Sequence, residues 1–351
     1  MADWSSSLML EWRYTLVDPL TWLDAYELPS VKSCDVTWDR GTKTLVSSSM
    51  RIYGDLPDWP YIRAYAEVTQ GLRRERFAVA TLLAMRSRDA SDGTASTSSP
   101  TAHSPLKEMD EDLPPVGLTL SGSVDDALAL CCSHTRAPMV PPMTGLSMPY
   151  PIVCSNDETW LDMFWAVADS VALDGWVDGM GRISVVPRRD PWALMPTLAL
   201  SDADERGVLG AEVTRETNVA DVPNHFEVVR YNADGKGGRF AEAWNDDPGS
   251  VTSTASRGWV KTTRETDPDG LAPGCSQAEA DAYAARRLRE LSVVTRTYEA
   301  RMGFVPLRLG DAVALSVSTL GCDEVVAVEG MRLGCDVAAE MRLTATATRE
   351  V

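Results

Sequence analysis

At 351 residues the chain is long enough for two or three domains with cores of their own, and 44% hydrophobic with 24% charged residues excludes wholesale disorder. Acidic side chains outnumber basic ones 51 to 33, a formal net charge of -18, which argues against a grip on nucleic acid, where lysine and arginine must displace phosphate counterions. The seven cysteines (Cys34, Cys131, Cys132, Cys154, Cys275, Cys322 and Cys335) show no repeated short spacing, so reduced thiols made in a cytoplasm fit better than a disulfide framework.

Asp3, Glu11, Arg13 and Asp18 interrupt any leader-like apolar run, and no stretch approaches the roughly eighteen apolar residues of a membrane span. Residues 4–29 concentrate Trp4, Trp12, Tyr14, Trp22 and Tyr26, anchors expected to pack on this chain or on a neighbour. Period-two alternation predicts strands over 31–38, 42–53 and 61–70, with a turn at Asp39-Arg40-Gly41 and a breaker run over 54–60. Residues 77–88 read as a strand or a short helix. The first ninety residues are therefore mainly β. Residues 91–117, rich in Ser, Thr, Pro and Asp, read as a polar linker or loop.

A connecting α/β region is expected over 118–200. Ser123 caps a helix to Ser133, with Asp125 and Asp126 in its first turn. Five prolines over 137–151 forbid more than an extended connection. Asp157 or Ser155 is expected to cap a helix carrying Trp160, Leu161, Phe164, Trp165, Ala168 and Val171, which ends near Asp174-Gly175. Trp176-Val177, a turn over 178–182 and a strand over 183–187 follow. A second β region spans 201–351: strands over 208–217 and 224–232, a turn over 233–238, a polar loop over 246–257 and a strand over 259–266. Ser276-Gln277-Ala278-Glu279 has capping-box spacing, and Ala284, Leu288 and Leu291 give the helix behind it a narrow apolar stripe. From Val293 the period returns to two through Met302. Leu309-Gly310-Asp311 then turns the chain into the strand 312–317, and 324–333 with 337–348 form a terminal hairpin.

The order of these units resembles the tail hub or baseplate hub proteins of tailed bacteriophages and contractile injection systems. Its carriers are residues 157–163 leading into the 178–185 turn and strand, then Val222-Pro223-Asn224-His225-Phe226-Glu227-Val228-Val229, the alanine-rich 278–291 and Leu307-Arg308-Leu309-Gly310-Asp311-Ala312-Val313. Loops 91–115 and 137–151 depart from the pattern. The resemblance implies an α+β, mainly β fold, with two tube-like β-barrel or sandwich domains and a small α/β connecting domain. It implies a homotrimer at the virion tail tip that adapts a sixfold tail tube or distal tail ring to a threefold tip. Its implied partners are a distal tail or tail tube protein, a tape measure protein and a tail-tip or spike protein, with DNA only passing through the channel.

Chemistry finds little support in the sequence. His103, His134 and His225 are scattered, and adjacent Cys131 and Cys132 point about 100° apart on a helix, so with His134 and Cys154 they do not make a tetrahedral zinc set. Asp157, Asp162, Asp169, Asp174 and Asp178 could supply a hydrolase carboxylate pair, yet they occupy caps, a polar helix face and turns. Gly235-Lys236-Gly237-Gly238 lacks the helix of a phosphate loop. The expectation is a structural protein with no catalytic, cofactor-binding or metal residue; the alternatives are a tail-associated cell-wall hydrolase or a receptor- or carbohydrate-binding tip protein.

Overall fold

The computed structural model describes residues 8–350 apart from 55, 57–59, 92–95, 190–193, 205–206, 233–236, 269–270 and 337. The fold is α+β and mainly β, in two compact units: Met1–Val213 with Glu299–Ala345, and Thr214–Tyr298 with Thr346–Val351. Trp4 and most of the 233–238 turn lie outside the described residues. Among the described residues, no helix is long and apolar enough to cross a membrane.

Unit one begins with β1 (Met9–Val17), β2 (Asp24–Glu27), β3 (Val31–Asp39), β4 (Val46–Tyr53), β5 (Tyr61–Gln70), β6 (Arg73–Ser91) and β7 (Ser96–His103). Helix α1 (Leu106–Glu111), β8 (Thr119–Leu120), α2 (Val124–Cys132), β9 (Ile152–Val153), α3 (Trp160–Ser170), β10 (Leu173–Val177), β11 (Ile183–Pro187), β12 (Leu198–Ser201) and the start of β13 (Leu209–Asn218) follow. Unit two holds β14 (His225–Tyr231), β15 (Gly238–Trp244), α4 (Thr254–Arg257), β16 (Thr262–Thr266) and α5 (Gln277–Leu291). The chain crosses between units within β13, β17 (Val293–Gly303) and β20 (Glu340–Glu350), and β18 (Ala312–Val317) and β19 (Cys322–Gly334) belong to unit one.

The strand order in unit one is β13-β17-β20-β19-β3-β4-β7-β6-β5-β1-β2, with β18 on β19 and β12 beside β18. Alternation explains its core: β4 buries Val46, Ser48, Met50 and Ile52 and turns Ser49, Arg51 and Tyr53 outward. The stretch 77–88, read as strand or helix, lies inside the strand β6, paired to β5 from Tyr61↔Leu83 to Gln70↔Arg73.

The polar stretch 91–117, expected as a linker or loop, instead contains a strand and a helix. Strand β7 lies between β4 and β6 and buries Ser98, Pro100 and Ala102, so its small residues alternate as a strand requires. Pro100, which has no N–H to give, falls between the paired positions Ser49↔Thr101 and Ile52↔Ser98. In α1 the charge cluster acts locally: Lys107 Nζ lies 2.6 Å from both Asp110 and Glu111, while Leu106 and Met109 are buried.

A second difference concerns the cap of α3. The cap is Thr159, not Asp157 or Ser155: Thr159 Oγ1 accepts from Asp162 N at 3.2 Å and Asp162 Oδ2 accepts from Thr159 N at 3.0 Å. A Thr/Asp pair three apart closes the same reciprocal ring as Ser/Glu. Thr159→Ala is expected to destabilise unit one by about 1 kcal/mol, read as a lower denaturation midpoint. The loop 246–257 ends in the single turn α4, capped by Ser253.

Unit two centres on β14, antiparallel to β15 and parallel to β16. Phe226, Val228 and Ala241 join Ala280, Tyr283, Ala284 and Leu288 of α5 in one core, so the buried face of α5 starts a turn earlier than the expected stripe. The Ser276/Glu279 capping box is formed. Glu265 of β16 accepts from Tyr283 Oη at 2.7 Å and from Arg287 at 2.8 and 3.1 Å. Burial works to raise its pKa, but Arg287 and Tyr283 together outweigh it and hold the carboxyl below its ordinary 4.5. A depressed folded pKa contributes stability above the unfolded value that is lost as pH falls through the folded one. Unit two should therefore weaken below about pH 4.5, and Glu265→Gln should flatten that limb of a midpoint-versus-pH profile.

Candidate functional site

A concavity of unit one has a volume of about 1470 Å³ and is walled by α3, the β10–β11 hairpin and the sheet, with Trp38, Arg40, Tyr65, Trp176 and Arg308 among its lining. Helix α3 lines it with Asp162, Trp165 and Asp169 and buries Leu161, Met163, Phe164 and Val167 in the core. The chain then reverses through Ala172, at φ 53°, into the hairpin. Gly175 lets the hairpin lie on α3, because a Cβ there would stand 2.8 Å from Phe164 Cε1.

At the hairpin tip Asp178 closes the turn, accepting from Arg182 N at 2.9 Å and Arg182 Nε at 2.7 Å, while Gly181 takes φ 76°. Gly179 O accepts from Thr81 Oγ1 at 2.9 Å; Met180 O accepts from Trp22 Nε1 at 2.7 Å and Arg63 Nη2 at 3.0 Å. The tip is thus held by strands β5 and β6 and by the β1–β2 connection. Trp22 is one of the aromatic anchors expected from the sequence and packs on this chain, whereas Arg63 and Thr81 carry no sequence signal for this role. Trp12 and Tyr14 also pack within unit one: Trp12 Nε1 donates to Asp336 O at 2.7 Å, and Tyr14 is buried. Tyr26 is exposed.

Four of the five candidate carboxylates are tied by ion pairs. Asp174 meets Arg40 at 3.1 Å and Arg188 at 2.9 Å; Arg188 also meets Asp169 at 2.5 Å, Lys43 meets Asp162 at 2.6 Å, and Arg182 holds Asp178. Asp157 sits exposed in the turn before α3. For Asp162 burial opposes the charge, yet Lys43 and the Thr159 cap keep the carboxyl below its ordinary range. Asp311, in the Leu-Gly-Asp turn, goes the other way: burial raises its pKa against the Arg308 N–H it accepts at 2.9 Å. Pairing Asp162, Asp169, Asp174 and Asp178 with lysine or arginine suits a braced joint, whereas a hydrolase acid among them would have to hold a proton to give up.

The cysteine–histidine set does not converge. Burial pushes the Cys131 and Cys132 thiols up to about 12. Cys154 Sγ donates to Ser155 O, while His134 stacks on Trp160 at 3.9 Å and bonds Asp112 at 2.7 Å. His103 ends β7, where burial lowers its pKa. His225 opens β14 beside Glu227 and Glu242, a grouping that the scattered histidines do not suggest in sequence.

No family model and no curated protein matches the chain. Solved structures do. A tail protein from Neisseria meningitidis MC58 superposes with a TM-score of 0.64 at 14% identity, over 96% of each chain. The 43 kDa tail protein of prophage MuSo2 from Shewanella oneidensis gives 0.62 at 12% identity, over 96% of this chain and 98% of that one. A chain of the Francisella PdpA–VgrG complex gives 0.56 at 8% identity, over 98% of this chain and 53% of that one. The chain therefore has the fold of phage tail proteins, the fold that its hub-type motifs imply.

Proposed function

We propose that the chain is a structural tail hub subunit, three copies of which form a ring at the virion tail tip. The ring joins a sixfold tail tube or distal tail ring to a threefold tip and surrounds the DNA exit channel. The observation that carries this reading is the end-to-end agreement with tail proteins, which for the Neisseria protein spans 96% of each chain. Two tube-like β regions per chain, 1–90 and 201–351, would give a threefold ring six similar faces. The acidic balance supports the channel: three chains carry 3 × -18 = -54 formal charges, a surface on which a phosphate backbone does not settle. The paired carboxylates of the cleft support bracing over hydrolysis.

Chemical cross-linking of assembled tails tests the reading. The ladder for this chain is expected to end at three copies, about 115 kDa from 38.2 kDa each. A ladder ending at one copy in assembled tails overturns the ring. Purified chain is expected to leave cell-wall glycan and peptide intact; wall cleavage that disappears in Asp174→Ala/Asp178→Ala would favour the hydrolase.

A further inference from the structure

The sheet of unit two has a face that α5 does not cover, and it gathers groups far apart in sequence. His225 and Glu227, two residues apart on β14, share that face, while Phe226 and Val228 point to the core. Register brings Glu242 of β15 opposite Glu227; on the other side, Thr262 of β16 stands opposite His225 and Arg264 opposite Glu227. One imidazole nitrogen and two carboxylate oxygens, from His225, Glu227 and Glu242, lie within 4.8 Å of one another.

We propose that His225, Glu227 and Glu242 form a divalent-cation site of the zinc class, with a fourth position open to water. One imidazole and two carboxylates are a donor set that Zn²⁺ accepts. Two of the three donors are already oriented from behind. His225 Nδ1 lies 3.0 Å from Thr262 Oγ1, so with Nδ1–H donating to that hydroxyl the lone pair of Nε2 is directed at Glu242, whose Oε2 is 3.2 Å away. Arg264 binds Glu227 through Oε2, at 2.5 Å from Nη2 and 2.6 Å from Nε, which leaves Oε1 on the imidazole side, 3.9 Å from His225 Nδ1. Hydrogen-bonded support behind a histidine and a carboxylate is the usual arrangement around a metal. His225 itself is fixed, 5% exposed and stacked on Trp244 at 3.6 Å. Bonds of about 2.0–2.2 Å place tetrahedral donors roughly 3.4 Å apart, so the cluster must contract. Glu242, at 47% side-chain exposure, is the member free to swing inward. The bound cation would clip β14 to β15. This site is independent of the hub reading.

The test is calorimetric titration of ZnCl₂ into the full chain after chelator treatment. Wild type is expected to bind one Zn²⁺ per chain, and Glu242→Gln, at an exposed position that leaves the fold intact by circular dichroism, to bind at least tenfold more weakly. Cu²⁺ should quench tryptophan emission in wild type, and Trp244→Phe should lose most of that quenching. Absence of saturable Zn²⁺ binding in wild type overturns the site. So does undiminished binding in Glu242→Gln and His225→Gln, which would place the ion elsewhere, for instance on thiols.

Discussion

Arg63→Ala lowers the thermal unfolding midpoint of unit one by on the order of 10 °C, the largest effect expected of any single side-chain truncation in the chain. Its side chain is 1% exposed, yet four of its five N–H groups find acceptors: Nε donates to Thr81 Oγ1 at 2.9 Å, Nη1 to Asp24 Oδ1 at 2.6 Å, and Nη2 to Met180 O at 3.0 Å and Trp22 O at 3.3 Å. Tyr65 Oη donates to the other Asp24 oxygen at 2.8 Å. Truncation removes the cation and leaves Asp24, Thr81 and two carbonyls short of donors around a void. Breaking a buried pair on one side costs about 3–5 kcal/mol, and a unit of this size loses roughly 2–4 °C per kcal/mol. Arg63→Lys should recover only part, because a single ammonium cannot reach four acceptors spread around a planar fork. A calorimetric shift of less than about 2 °C for Arg63→Ala would contradict this account of the joint.

Gly179→Ala is the second large effect, and it acts through backbone. A Cβ on Gly179 would stand 1.9 Å from Ala78 O and 2.4 Å from Ala78 C, a clash that no side-chain rotation relieves. The tip must lift from β6, losing the Thr81 bond to Gly179 O and the two donors on Met180 O. Ordinary overpacking costs about 1–3 kcal/mol, and a clash with main chain should exceed the upper end of that range. Hydrogen exchange over 175–183 reads it directly: amides there should exchange at least tenfold faster in the variant, while Asp157→Ala, an exposed control, should leave them unchanged. Equal protection in Gly179→Ala and wild type would mean that the hairpin does not rest on β6 as described.

The contrast between these two residues explains what the sequence reveals. Gly179 lies in a visible Asp-Gly-Met-Gly turn, so the hairpin is legible although its docking is not. Arg63 sits in an alternating strand, where a charged residue reads as solvent-facing until the partners 18, 39 and 117 residues away are in place. Regular elements governed by local period and caps are legible: β3, β5, α2, α5 and β17 follow from alternation or from Ser123 and Ser276. Strand β7 is hidden because its inward positions are Ser, Pro and Ala, residues that signal a loop by composition and become core only between two neighbouring strands. The parallel pairings of β12 with β18 and β14 with β16 join distant segments that no turn connects. The His225–Glu227–Glu242 grouping is half legible: the first two share a strand face by spacing, and the third arrives only through the β14–β15 register.

The central claim, that this chain is a ring-forming hub, is tested most directly by an averaged image of the assembled tail with the chain labelled at a single introduced cysteine. The account predicts three labels around a threefold axis at the tip, beside the tube. One label, or six around the tube itself, would contradict it.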